Sequence, residues 1–109
     1  MPALEKTVVK KIKGYLESTG AVVIKNHGSQ FSAGGVADLT GCLEGGRFFA
    51  IEVKAENKGL KNLTDLQARF LIDVYNAGGI ACVANDLGLV KEAIRTQSIQ
   101  AVSKGWVTK

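Results

Sequence analysis

Apolar residues near the start of the chain fall at Leu4, Val8, Val9, Ile12, Tyr15 and Leu16, a three-to-four spacing that predicts one helix from Leu4 to about Thr19. Gly20 closes it. The β-branched run Ala21-Val22-Val23-Ile24 reads as a first strand. Residues 28–35, rich in glycine and serine, have loop composition. Val36 to Leu43 and Arg47 to Ala55 read as two strands folded together by the turn Glu44-Gly45-Gly46. A polar connection over 56–62 leads to a second helix, about Leu63 to Ala77, with Leu63, Leu66, Phe70, Leu71, Val74 and Tyr75 as its stripe. Gly78-Gly79 stops that helix, and Ile80 to Ala84 has the apolar continuity of a buried strand. Asp86 can cap a third helix running to about Gln97. The order α-β-β-β-α-β-α predicts a small α/β sandwich whose mixed sheet joins an antiparallel hairpin to a strand added through a crossover helix.

Composition narrows the class. A chain of 109 residues with 46% apolar and 22% charged residues is one domain, here taken as 1–109, with a core of its own. No apolar run approaches the roughly 20 residues that cross a bilayer. Met-Pro-Ala-Leu-Glu lacks the basic-then-apolar order of a signal peptide, so a soluble cytosolic protein is expected. Cys42 and Cys82 stand in apolar stretches without metal spacing and are expected in the core. The net charge of +4 is compatible with a nucleic-acid partner. It gathers at Lys6, Lys10, Lys11 and Lys13 in the first helix, with Glu5 the one acid among residues 1–13, and after Glu92 at Arg95, Lys104 and Lys109 with no acid.

Five polar residues sit where the pattern calls for apolar ones. In the third strand, alternation places Phe49, Ile51, Val53 and Ala55 on one face and Phe48, Ala50, Glu52 and Lys54 on the other. A carboxylate and an ammonium thus follow two apolar positions; the bland alternative is an exposed ion pair at a fraying strand end. With the turn centred near residue 45, Asp38 falls opposite a position close to Glu52, which brings two carboxylates together. Such a pair repels unless a cation lies between, and hard cations prefer oxygen. Glu5 falls on the first helix's apolar stripe, or else is a first-turn acid favoured by the helix dipole. Gln67 faces inward on the second helix, or else closes a capping box with Thr64.

Together these residues resemble the PD-(D/E)XK nuclease superfamily, and within it the VRR-Nuc family. The resemblance is carried by the N-terminal helix with Glu5, by the glycine-rich lead into Val36-Ala37-Asp38-Leu39, and by Gly46-Arg47-Phe48-Phe49-Ala50-Ile51-Glu52-Val53-Lys54. Gln67 and the Ala77-Gly78-Gly79 approach to the next strand complete it, over residues 4 to about 95. One position departs: the family commonly has proline directly before the first aspartate, where this chain has Ala37. The resemblance implies a restriction-endonuclease-like α-β-β-β-α-β(-α) core, a central mixed sheet flanked by helices. It implies a metal-dependent DNA endonuclease using Mg²⁺ or Mn²⁺. Asp38 and Glu52 would be metal ligands, with the Val53 carbonyl a further one and Glu5 completing the acidic site. Lys54 would orient or activate the attacking water, and Gln67 would orient water or the lysine.

The compact phage and bacterial members of that family act as dimers on branched DNA. The resemblance therefore implies a homodimeric Holliday-junction resolvase, working in the cytoplasm of a bacterial or phage-infected cell. Other activities of the superfamily (flap, single-strand or restriction-type cutting) and a non-catalytic DNA-binding module are the alternatives. Candidate DNA contacts are Lys25, His27, Gln30 and Ser32, with Lys6, Lys10 and Lys13 on the first helix. The loop lacks the Gly-x-x-x-x-Gly-Lys-Ser/Thr pattern, so no nucleotide cofactor is expected, and neither is a membrane partner. Tyr15, Phe70 and Tyr75 are read as core, and Trp106 as an anchor for the tail or a dimer contact.

Overall fold

A computed structural model describes residues 4–26, 35–59 and 63–96. Its elements follow the predicted order: α1 (Glu5–Ser18), β1 (Val22–Lys25), β2 (Leu39–Cys42), β3 (Phe48–Val53), α2 (Asp65–Asn76), β4 (Ile80–Ala84) and α3 (Leu87–Thr96). The four strands form one sheet in the order β1-β2-β3-β4. The first three pair antiparallel, and β4 joins β3 in parallel. β1, β3 and β4 therefore point the same way, and their carboxyl ends share one end of the sheet with the start of β2.

Two apolar layers sandwich the sheet. On one side Val8, Val9, Ile12 and Leu16 of α1 and Val90 and Ala93 of α3 pack on Leu39, Phe49, Ile51, Val53, Ile80 and Cys82. On the other, Leu71, Ile72 and Val74 of α2 cover Ala37, Ala50, Ala81 and Val83. The alternation read in β3 thus holds: Phe49, Ile51 and Val53 face α1 and α3, and Ala50 faces α2. β4 is buried at every position, as its unbroken apolar run requires.

The hairpin turns through Leu43 to Arg47, where Gly45 and Gly46 both take positive φ, a region other residues rarely adopt. Asp86 accepts a hydrogen bond from the Leu89 N–H at 3.0 Å and so caps α3 as expected. Three expectations need correction. The second strand begins at Leu39 rather than Val36, so Asp38 lies just outside the ladder. Leu66 is 61% exposed, because the buried face of α2 centres on Ala68, Leu71, Ile72 and Val74. Cys82 is in the core but Cys42 is only half-buried, at the end of β2 next to the hairpin turn. Among the described residues, no helix is long and apolar enough to cross a membrane.

Candidate active site

The sheet end where β1, β3 and β4 finish gathers the polar residues. In the hairpin Leu39 pairs with Ile51 and Thr40 with Ala50, so one further step sets Asp38 opposite Glu52. Asp38 is held there by its side chain: Oδ2 accepts the Val53 N–H at 2.8 Å. Glu52 is the one acid buried among the described residues, at 4% exposure, on the face that α2 covers. Lys54, the next residue on that face, is half-buried with Nζ 3.9 Å from Glu52 Oε2. The pair is not an exposed ion pair at a fraying end.

Gln67 reaches the same oxygen. Its Nε2 donates to Glu52 Oε2 at 3.2 Å. Its Oε1 accepts the Thr64 N–H at 2.9 Å, and its own N–H donates to Thr64 Oγ1 at 3.1 Å. The capping box and the inward-facing contact, which the sequence offered as alternatives, are both present. They reinforce each other: the acceptor end of the amide is occupied by the helix start, so the donor end is the one turned to the carboxylate.

One glycine makes this approach possible. Gly35 has φ +93°, and a Cβ there would lie 2.6 Å from the Leu66 backbone. The segment leading to Asp38 therefore lies directly against the first turn of α2, which brings the Asp38 and Gln67 lobes together.

The electrostatics follow from this crowding. Burial, and then the neighbouring Asp38 carboxylate, push Glu52 up to about 8, while the Lys54 ammonium pulls the other way. Two close carboxylates, one buried, disfavour their own joint ionisation. An all-oxygen pair of this kind suits Mg²⁺ or Mn²⁺, whose charge would offset the repulsion. Asp38 and Glu52 are thus a fitting donor pair, with the Val53 carbonyl in the same stretch of chain. No group of three or more His, Cys, Asp or Glu side chains is gathered for a metal among the described residues.

Glu5 does not fall where its spacing put it. It is exposed in the first turn of α1, ahead of Val8, the first buried position of that helix. α1 also packs on the sheet face opposite Glu52 and Gln67. Its placement matches the first-turn acid that the helix dipole favours.

The predicted basic residues divide in two. Lys6, Lys10, Lys13 and Lys25 line one cleft of about 470 Å³ with Thr7 and Val9. α1 and β1 run antiparallel, so Lys6 and Lys25 lie toward the sheet end that carries Asp38, and Lys13 leads away from it. Lys13 also pairs with Glu17 at 2.8 Å. His27, Gln30 and Ser32 lie outside the described residues, as does Trp106.

Sequence reasoning missed Asn26. Its N–H donates to the Asp38 carbonyl at 2.8 Å, and its Nδ2 donates to the Ala37 carbonyl at 2.8 Å and to Thr40 Oγ1 at 3.0 Å. An asparagine after a β-branched run reads as a strand terminator, which it also is. No family model matches the chain, and no curated protein matches its sequence.

Proposed function

We propose that this protein is a metal-dependent DNA endonuclease with a restriction-endonuclease-like core, acting on branched DNA as a homodimer. The observation that carries the reading is the convergence of Asp38, Glu52, Lys54 and Gln67 at one sheet end. Glu52 is buried there at evident electrostatic cost, beside a second acid. A carboxylate held against burial and like charge has no structural return, and pairs of this kind cluster at functional sites. The element order and the parallel β4 agree with the core that the resemblance implies.

In this reading Asp38 and Glu52 would hold the ion, with the Val53 carbonyl as a further ligand; Glu5, the further acid that the resemblance implies, is exposed in the first turn of α1. When bound, a divalent cation supplies charge that neutralises phosphate oxygens and acidifies water. The chain's own residues do the rest. Asp38 is oriented by the Val53 N–H, and Glu52 by the Gln67 amide. Lys54 places an ammonium beside the negative charge that develops at the scissile phosphate. The lysine cleft carries the backbone flanking that phosphate, and a second protomer would present a second site by two-fold symmetry.

The test is cleavage in Mg²⁺ or Mn²⁺ of linear duplex, single strand, flap, splayed arm and four-way junction, with Glu52→Gln alongside. Paired metal-dependent nicks at the four-way junction, absent in Glu52→Gln, are the expected result. Cutting of linear or single-stranded DNA retains the nuclease and removes the junction. Full activity in Glu52→Gln removes the site.

A further inference from the structure

We infer that Asn26 is a positioning residue for the carboxylate pair, the clamp that sets Asp38; the inference rests on the metal-site reading above. Asp38 lies one residue outside β2, beyond the pairs that Leu39 to Cys42 make, and the Asn26 N–H adds one further rung to it from β1. Its neighbours on the amino side, Val36 and Ala37, belong to no element. Asp38 is restrained instead from two directions. From the β3 side, the Val53 N–H holds the carboxylate itself. From the β1 side, Asn26 holds the main chain by bonds to the Asp38 and Ala37 carbonyls, which flank the Asp38 Cα.

The third bond, to Thr40 Oγ1, takes the second Nδ2 hydrogen. Thr40 is buried, so that hydrogen is satisfied within the fold while the other holds the Ala37 carbonyl. Ala37 is also buried, so without Asn26 its carbonyl would lose a partner in a place that water reaches poorly. The Asp38 segment would then settle elsewhere, and its carboxylate would move relative to Glu52. Residues that orient ligands are commonly worth 10- to 100-fold in metal affinity.

Asn26 also joins the two halves of the proposed surface. It follows Lys25, the β1 member of the basic cleft, so the strand that presents a cation to the DNA backbone also sets the first acid.

The experiment measures Mn²⁺ affinity by titration calorimetry, without DNA, on the full chain. Its variants are Asn26→Ala, the milder Asn26→Ser, Thr40→Val and Asp38→Asn, each checked for folding by thermal melt. Thr40→Val removes the Thr40 bond and leaves Ala37 and Asp38 held, so it reports general loosening of β1 against β2. The expected result is at least a tenfold weaker Kd in the Asn26 variants, with Thr40→Val within about twofold of the parent. Both Asn26 variants keep the main-chain bond to Asp38 and lose the amide that holds Ala37; Asn26→Ser, the milder, remains informative if Asn26→Ala fails to fold. Two outcomes overturn the inference: Asn26 variants that bind Mn²⁺ like the parent while Asp38→Asn does not, or Thr40→Val as weak as they are. Unchanged affinity in Asp38→Asn instead removes the metal-site reading, and the clamp with it.

Discussion

At the scale of single residues, Glu52 dominates. Its carboxyl titrates near 8 when folded and near 4.5 in an unfolded chain, so the native state holds the proton more tightly. The native state's advantage from this group is complete below about pH 4.5 and is lost as pH rises through about 8. Glu52→Gln removes the titration while keeping the shape. Melting curves from pH 5 to 9 without metal should therefore show a steeper decline in the parent than in Glu52→Gln, the two differing by a few kcal/mol at the alkaline end. Gln67 allows a second separation. Thr64→Ala and Gln67→Ala each remove a capping arm and should each cost about 1 kcal/mol. Only Gln67→Ala also frees Glu52 Oε2, so only it should slow cleavage at saturating substrate beyond the loss of folded protein.

Much of this site was legible in the residues, and what was missed has a physical cause. The Asp38–Glu52 juxtaposition followed from the turn position alone, because an antiparallel hairpin has one register once its turn is set. Gln67 was located correctly, but a one-dimensional pattern offers a cap and an inward contact as rivals when one amide has two ends to serve both. For Glu5 the periodicity offers a place on the stripe beside a first-turn acid, and it cannot choose between them because it does not know where the neighbouring layer starts. Asn26 was invisible because the partners of its side chain are 11 and 14 residues away.

At the scale of elements, the arrangement turns on the contact between Gly35 and the first turn of α2. Strand lengths show the same influence: the β pattern over 36–38 is suitable for a strand, yet β2 starts only at Leu39, and Gly35 just ahead lies against Leu66. Gly35→Ala meets both a positive φ and the Leu66 backbone, so it should cost upwards of about 1 kcal/mol. Because the collision lies between the two lobes of the site, Mn²⁺ affinity should fall with it. A melting temperature and a Kd both at parental values would show that this contact is dispensable. The helices were predictable to within one or two residues, since each carries a full apolar stripe over an unbroken run.

At the scale of the whole molecule, charge is distributed by layer. The α1 side carries the cations of the cleft, and the acids of the site lie across the sheet under α2. Lys6 and Lys13, with Lys10 between them, stand seven helical steps apart, about 10 Å, against about 3.4 Å of rise per phosphate along one strand of a duplex. The cleft therefore matches a run of backbone better than a single phosphate. Replacing Lys6, Lys10 and Lys25 one at a time by Gln should lower the slope of log K against log salt by up to about one each. The binding is measured in Ca²⁺, and single-turnover cleavage at saturation should keep its rate. An unchanged slope in all three would take the cleft out of the DNA footprint.

The two cysteines make the same fold report on its own opening. Burial pushes the Cys82 thiol up to about 12, and it lies in the parallel β3–β4 pair opposite Ile51, one step from Glu52. Cys42 is half-buried near the end of a short strand. A thiol reagent should therefore see two clocks. Cys42 should label at a rate set by local breathing of the hairpin, and Cys82 only when β3 and β4 part, at the frequency of global unfolding. A bound cation that ties Asp38 to Glu52 should slow the second clock far more than the first, giving a measure of site occupancy that involves neither DNA nor its cleavage.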